Sequence, residues 1–293
     1  LHHTVHTVDG LDQILFKILE PVSMNARRHE QRYGAGFGLN QGVVSNRLHF
    51  NYTGIDNFDV ANGPHPQTRV YSTVYGNQTY NIRDQLSLRP TAGMRLTARA
   101  GYFYRTLSRT PDTPERYRDF SAGLRGTWEI SRHDNIDLSY SFDQYDKSDY
   151  QRLTALDIRD YSNVQNTVRG TYSHHFPTTT LTLGADYTHD YLFNRNLSGR
   201  TRQQDTFDAF AQADWTASPR WELVAALRYD YFSDQRHSRL TPKLSARYRP
   251  HRDLTLRLGY GMGFRAPTLK EKYYNFDMAG IWIVQGNPQL KSE

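Results

Sequence analysis

Long runs in which apolar and polar residues alternate constrain this chain more than any other feature of its sequence. From Leu254 to Phe264 every second residue is apolar or aromatic, and the positions between them hold threonine, arginine and glycine. Successive side chains of a β-strand point to opposite faces, so a period of two predicts a strand with one apolar and one polar face. The same pattern recurs at Leu96–Tyr104, Phe120–Ile130, Ile136–Phe142, Leu181–Tyr187, Phe207–Trp215 and Trp221–Tyr231.

The length of these runs and the charges on their polar faces indicate a membrane strand rather than a soluble one. Strands of soluble proteins average about five or six residues, whereas a tilted strand needs about ten to cross a bilayer. Charged groups on the polar face need water or partners, which a solvated lumen supplies. They are Arg95, Arg99, Arg125, Asp137, Asp186, Asp214 and Arg257. A large soluble β-protein is the alternative, since its strands also alternate.

Composition fits an apolar outer band around a wet interior. Only 37% of the residues are hydrophobic and the mean hydropathy is -0.77, yet 13% are aromatic. The sequence contains no run of about 18 apolar residues, so it does not predict a transmembrane helix. With no cysteine, disulfides and thiolate metal sites are excluded. The net charge of +6 arises from basic residues spread among 30 acidic ones without a basic run, so nucleic acid is not an expected partner.

The connections between the runs alternate between tight turns and longer polar links, as in bacterial outer-membrane barrels. This predicts an all-β, antiparallel transmembrane β-barrel with about twelve strands visible. The tight turns are Asn40–Ser45, Arg89–Gly93, Ser131–Asn135, Phe176–Thr179, Ala217–Arg220 and Arg249–Asp253. The longer links are Gly54–Thr68, Thr106–Arg118, Gln144–Asn163, Asp190–Asp205 and Ser233–Arg239.

The first thirty residues are harder to assign. Leu1–Gly10 lacks the basic start and apolar stretch of a signal peptide. The apolar cluster from Ile14 to Leu19 fits either another strand or a short helix. Residues 1–30 are therefore left unassigned, and residues 31–293 are assigned to the barrel.

Two boxes in the last thirty residues resemble TonB-dependent outer-membrane receptors. The first box is Phe264, Arg265, Ala266 and Pro267, after Gly263 and before Leu269, Lys270, Glu271 and Tyr273. The second is Gly286, Asn287, Pro288 and Leu290, followed by Glu293. By local chemistry alone, Pro267 ends a strand because it lacks an N–H, and Asn287-Pro288 begins a turn.

The resemblance implies active nutrient uptake. Such receptors have a barrel of about 22 strands closed by an N-terminal plug domain. They bind a scarce, bulky nutrient (a siderophore, haem, cobalamin or a glycan), and the TonB complex acting on the plug drives import. Without a recognisable plug and with about twelve strands, the sequence is expected to be an internal piece, truncated at its C-terminal end. The expected location is the bacterial outer membrane, in contact with its lipid.

Ligand contacts are expected from Tyr273 and Tyr274 between the boxes and from His189 and His237 near the outer links. Haem receptors usually carry a histidine between the boxes, and residues 268–286 contain none. Aromatic residues of the links that could stack on a ligand are Tyr145, Tyr150, Tyr161, Tyr191, Phe193, Tyr274 and Trp282. No catalytic residue, metal site or cofactor is predicted.

Two other functions remain open. A passive porin-like barrel shares the alternation but not the paired boxes. An outer-membrane hydrolase needs a nucleophile, a base and an orienting group brought together. Ser198, His189 and Asp186 are the nearest such set, although alternation directs Asp186 into the lumen.

Overall fold

The computed structural model describes residues 13–19, 30–62, 70–234, 236–278 and 282–292. Within these ranges the chain forms seventeen strands and one short helix, α1 (Leu269–Tyr273). The strands are β1 (Gln13–Leu19), β2 (Glu30–Gln41), β3 (Val44–Ile55), β4 (Phe58–Asn62), β5 (Val70–Val74), β6 (Asn77–Thr91), β7 (Met94–Leu107), β8 (Glu115–Glu129), β9 (Asp134–Gln151), β10 (Leu156–His175), β11 (Thr179–Asn194), β12 (Thr201–Ser218), β13 (Trp221–Phe232), β14 (His237–His251), β15 (Leu254–Gly261), β16 (Asn275–Met278) and β17 (Trp282–Gln285). Among the described helices, none is long and apolar enough to cross a membrane.

Thirteen of the strands form one sheet, confirming the all-β prediction. The order is β1-β2-β3-β6-β7-β8-β9-β10-β11-β12-β13-β14-β15, so nearly every strand pairs with its sequence neighbours. The pairs whose register is defined, such as β11 with β12 and β13 with β14, are antiparallel. The sheet has one strand more than the twelve predicted. The additional strand is β1, which contains the apolar cluster that, from the sequence, fitted either a strand or a short helix. β4–β5 and β16–β17 form separate hairpins.

The register confirms that the sheet has two chemically different faces. Leu183 lies opposite Ala211, Ala211 opposite Leu227, and Leu227 opposite Pro242, so apolar positions continue from strand to strand. We call this the apolar face. Leu124 and Leu258 on it are 60% and 78% exposed, too much for a soluble core. The other side, with Arg125, Thr182 and Arg257, is the polar face.

All six predicted tight turns join strands that pair in the sheet, and they lie at one end, the tight-turn end. At the opposite end, the loop end, four of the five connections are shorter than predicted, whereas the link expected over Gly54–Thr68 is longer and contains β4 and β5. The link expected over Gln144–Asn163 contracts to residues 152–155, because β9 runs to Gln151 and β10 begins at Leu156. The Asp190–Asp205 link likewise contracts to residues 195–200. The strands therefore continue beyond the length needed to cross a bilayer.

The described structure divides into two compact units. Unit 1 comprises residues 1–88, 97–122 and 143–163, and unit 2 comprises residues 89–96, 123–142 and 164–293. In unit 1, a row of aromatic rings crosses the apolar face near the loop end. The ring centroids of Tyr33 and Tyr52 are 5.9 Å apart, those of Tyr52 and Tyr80 4.9 Å, and those of Tyr80 and Tyr104 6.2 Å. We call this row the tyrosine row; its amphipathic rings suit the headgroup level of a membrane.

Candidate functional site

In unit 2, the first residue of the first box helps to form an aromatic and cationic cluster at the loop end. The Phe264 ring lies 5.6 Å from Phe232 and 6.3 Å from His237 between centroids. The guanidinium carbon of Arg239 lies 5.7 Å from the centre of the same ring. We call these four residues the Phe264 cluster.

The Phe264 cluster lies on the polar face, as the strand register shows. Phe232 is opposite His237, one step from the pair formed by the exposed Tyr231 and Ser238 on the apolar face. Arg239 forms no ion pair with any carboxylate that the structure describes. A cation beside aromatic rings is a favourable contact for an anionic, flat ligand.

In unit 1, a second cluster of rings lies on the polar face near the loop end. Tyr145 is 6.5 Å from Tyr117 and meets Tyr161 edge-on at 6.0 Å. Tyr161 is only 9% exposed, whereas Tyr117 and Tyr145 are half-buried. The buried ring therefore supports two rings that keep exposed surface.

Charged groups surround these tyrosines. Lys147 Nζ lies 3.4 Å from a Glu115 carboxylate oxygen and 3.8 Å from one of Asp160. Burial, together with a hydrogen bond to Asp160, raises the pKa of Asp149 to about 6. Burial and a hydrogen bond to Glu115 also raise the pKa of Tyr117. We call these seven residues the Tyr145 cluster; it presents aromatic rings among carboxylates.

The segment that follows Phe264 folds into a compact cap because of its local sequence. β15 ends at Gly261, before the predicted strand end at Pro267. Thr268 then caps α1: its side chain accepts the amide N–H of Glu271, and the Glu271 side chain accepts the Thr268 N–H at 2.9 Å. This reciprocal pair is a capping box. These bonds from Thr268, together with Arg265, lower the pKa of Glu271.

The second box docks on α1. The Gly286 N–H donates to the Tyr274 carbonyl at 2.6 Å, and the Asn287 N–H donates to the Glu271 carbonyl at 3.0 Å. A Cβ on Gly286 would lie 2.6 Å from the Lys272 carbonyl, so only glycine fits this contact. The Asn287 side chain accepts the Gln289 N–H at 2.9 Å, which confirms the predicted turn at Asn287-Pro288.

α1 is also held to the loop end of the sheet in unit 2. The Lys272 ammonium, 2% exposed as a residue, pairs with Asp234 in the β13–β14 connection. Asn194 Nδ2 donates to the Asn275 carbonyl at 3.1 Å, and the Asn275 side chain donates to the Asn196 carbonyl at 3.1 Å. The two boxes therefore form a structural element that fixes the position of Phe264.

The four expected ligand residues lie in different environments. His237 belongs to the Phe264 cluster, as described above. Tyr273 lies under Arg202, with the guanidinium carbon 5.0 Å from the ring centre. Tyr274 stacks on Phe276 at 6.0 Å. His189 is paired with Asp205 on the apolar face, at 2.7 Å from Nδ1 to the carboxylate.

The set proposed for a hydrolase does not come together. His189 lies on the apolar face, whereas Asp186 lies on the polar face and receives two hydrogen bonds of 2.7 Å from Arg169. The two side chains are thus on opposite sides of β11. Within the described residues, no group of three histidines and acids could hold a metal ion.

The other aromatic candidates also divide between the faces. Tyr150 lies on the apolar face beneath the Arg116 guanidinium, and Tyr191 and Phe193 share the face of His189 by alternation. Tyr145 and Tyr161 are the pair brought together on the polar face. The side chain of Trp282 lies outside the part of the chain described.

Sequence reasoning missed five residues of the Tyr145 cluster and two of the Phe264 cluster. They are Glu115, Tyr117, Lys147, Asp149 and Asp160 in the first and Phe232 and Arg239 in the second. The signal that could have found the first group is alternation, which continues through a segment assigned to a link. Tyr145, Lys147 and Asp149 occupy every second position of β9. No comparable period connects Phe264 with Arg239, whose contact is tertiary.

Comparisons with known proteins agree with these structural features. The family model described as TonB dependent receptor-like, beta-barrel, matches residues 21–293. None of the curated proteins matches the sequence.

Solved receptor structures share the fold. The siderophore receptor PirA from Pseudomonas aeruginosa superposes with a TM-score of 0.68 at 14% identity, covering 95% of this chain and 49% of that one. A mutant of the ferric enterobactin receptor PfeA from Pseudomonas aeruginosa, in complex with enterobactin, gives 0.66 at 18%, covering 95% and 49%. The FrpB iron transporter from Neisseria meningitidis gives 0.66 at 11%, covering 82% and 44%. The chain thus spans about half the length of these proteins, and identities this low establish the fold alone.

Proposed function

This chain belongs to the TonB-dependent receptors through its β-barrel, and we propose that the protein is an outer-membrane receptor that binds a scarce, bulky nutrient and imports it with TonB-derived energy. The two-faced sheet supports this location, since one face offers exposed leucines to lipid and the other offers ion pairs to water. In this proposal TonB acts through a plug domain, as the family resemblance implies. A passive porin-like barrel would not require the two boxes that dock together through α1.

We propose an iron–siderophore complex as the ligand, ahead of haem, cobalamin or a glycan. The observation that carries this choice is the Phe264 cluster, where Arg239 and His237 flank two phenyl rings on the polar face. Aromatic rings can stack on flat aromatic groups of such a chelate, and the guanidinium stabilises its negative charge. PirA, PfeA and FrpB, which share the fold, are described as siderophore or iron receptors and transporters.

Haem is the weaker candidate. Protein ligands to haem iron are commonly histidine or tyrosine. The segment between the boxes contains no histidine, and both of its tyrosines already contact other side chains.

Binding by the purified full-length protein tests the ligand class, with ferric enterobactin, haem and cobalamin as probes. We expect ferric enterobactin to bind, and Arg239→Gln to weaken binding by about tenfold, because one charge-assisted hydrogen bond contributes about 1.5–3 kcal/mol. Arg236→Gln is the matched control, since it removes the same charge from the adjoining β13–β14 connection, outside the Phe264 cluster. Equal losses in the two variants would refute a specific role for Arg239.

Growth tests the transport step. Deletion of the gene should abolish growth on one iron source, and removal of TonB should produce the same defect. Normal growth of the deletion strain on siderophores, haem, cobalamin and glycans would overturn the uptake function itself.

A further inference from the structure

A polar groove in unit 1 has no part in the ligand site described above. It encloses about 720 Å³ at the loop end, where β2, β3, β6, β7, β8 and β9 approach their connections. Glutamine, asparagine, threonine and serine side chains form much of its wall. Two arginines, Arg116 and Arg152, also line it, together with Tyr52, Tyr150 and a single carboxylate, Asp56.

The groove opens on the apolar face, directly beyond the tyrosine row. Tyr33, Tyr52 and Tyr80 are register partners, and two residues further toward the loop end the partners are Gln31, Gly54 and Gln78. Residues two apart on a strand share a face. Gln31, Gly54 and Gln78 line the groove, so its floor continues the membrane-facing surface past its aromatic border.

The two arginines offer hydrogen-bond donors to the groove. Arg116 is held flat, with its guanidinium carbon 3.5 Å from the centre of the Tyr150 ring and Nη1 3.3 Å from Asp157. Its Nε is buried and has no hydrogen-bond partner among the described residues. Arg152 forms no ion pair with a described carboxylate, and its backbone N–H is fixed by the Asp112 carbonyl at 3.0 Å.

The level of the groove relative to the membrane indicates which chemical groups could bind in it. Tyrosine rings on a membrane-facing surface lie at the headgroup level, so the polar groups immediately beyond them meet lipid headgroups. A planar guanidinium matches the oxygens of a phosphate and is the preferred side chain for binding it. A second arginine in the lining of the same groove adds positive charge that a neutral headgroup would not need.

We propose that this groove binds the phosphorylated headgroup of an outer-leaflet lipid whose acyl chains lie along the tyrosine row. Arg116 and Arg152 contact the phosphate, and the amide side chains of Gln31 and Gln78 contact the neighbouring polar part of the headgroup. The inference rests on the membrane location in the proposed function but on none of the nutrient-binding residues.

Native mass spectrometry of the full-length protein tests the proposal. The protein is released from neutral detergent after incubation with lipid A, with dephosphorylated lipid A, or with inorganic phosphate alone. We expect retention of lipid A and about tenfold weaker binding of the dephosphorylated form, the effect of losing one charge-assisted contact. Arg152→Gln, alone and combined with Arg116→Gln, should reduce lipid A binding by about tenfold or more.

Arg99→Gln is the control, because it removes the same charge from the polar face of unit 1 and should leave lipid binding within about twofold. Equal binding of the two lipid forms, or equal losses in Arg99→Gln and Arg152→Gln, would overturn the proposal. Inorganic phosphate that binds and fully displaces lipid A would show an anion site rather than a lipid site.

Ferric enterobactin binding, measured on the same samples, separates this proposal from the proposed function. The groove variants should keep it unchanged, since Arg116 and Arg152 lie outside the Phe264 cluster. If enterobactin fails to bind while phosphorylated lipid binds as expected, the nutrient assignment fails and the groove assignment stands.

Discussion

Replacement of Gly286 by alanine should release the second box from α1. The added Cβ would lie 2.6 Å from the carbonyl carbon and oxygen of Lys272 and 2.7 Å from the carbonyl oxygen of Glu271. All three are backbone atoms of a helix that is fixed by its capping box and by the Lys272–Asp234 ion pair. The chain at Gly286 must therefore move away, rather than the helix.

The magnitude follows from the hydrogen bonds that this movement breaks. Two are at stake, from the Gly286 N–H to the Tyr274 carbonyl and from the Asn287 N–H to the Glu271 carbonyl. At about 0.5–1.5 kcal/mol each, their loss raises the free energy of the docked state by about 1–3 kcal/mol. The open population should then increase by a factor of about 5 to 150.

Hydrogen exchange of the full-length protein, followed by mass spectrometry of peptides covering residues 282–290, measures this population. Gly286→Ala should accelerate exchange of the Asn287 amide by about that factor. Gly263→Ala is the matched control, because a Cβ there meets nothing within 4 Å. Identical exchange of residues 282–290 in the wild type and Gly286→Ala would refute the packing argument.

Two further predictions concern charges on the polar face. Arg228→Gln removes the cation that lies 2.9 Å from Asp208 and 2.8 Å from Asp230. The substitution should destabilise the folded protein by about 3 kcal/mol, since the two buried carboxylates lose their partner. Thermal unfolding in detergent measures this loss, and an unchanged Tm would contradict the prediction. The raised pKa of Asp149, about 6 against an ordinary 3.8, means that its stabilising contribution is fully present below about pH 4 and is lost as the pH rises through about 6. A plot of Tm against pH should show that loss in the wild type and not in Asp149→Asn, and parallel curves would disprove the assignment.

The strands and their faces could be predicted from the sequence because the bilayer imposes a strict local rule. Most exposed leucines on the apolar face have charged, hydroxyl-bearing or glycine neighbours in the sequence, so alternation alone assigned Leu124, Leu183 and Leu256 correctly. The tight turns were found for the same reason, since alternation stops at each one. β1 was left open because its short apolar cluster has no alternation to separate a strand from a helix.

The loop-end boundaries were predicted less well, for a physical reason. Beyond the membrane both faces of a strand meet water, so the apolar signal disappears while the backbone pairing continues. Tyr145 and His189 were therefore assigned to or beside links, although both lie within strands. Extending alternation past Tyr187 would have placed His189 on the apolar face.

The Phe264 cluster and the docking of the two boxes could not be predicted. Phe264 meets Arg239 across β14 and β15, and Lys272 meets Asp234 across 38 residues of chain. Neither contact produces a periodic pattern in the sequence. The resemblance of the boxes to a receptor family identified the residues involved without indicating what they touch.

Labelling of single cysteines tests the central claim, that lipid covers one face of this sheet and water the other. The chain contains no native cysteine, so Leu124→Cys and Leu256→Cys can be compared directly with their neighbours Arg125→Cys and Arg257→Cys in membranes. A water-soluble maleimide should modify the arginine positions at least about tenfold faster, because a thiol in hydrocarbon ionises poorly and is inaccessible to the reagent. Equal rates at both kinds of position would contradict the membrane assignment and the receptor function that depends on it.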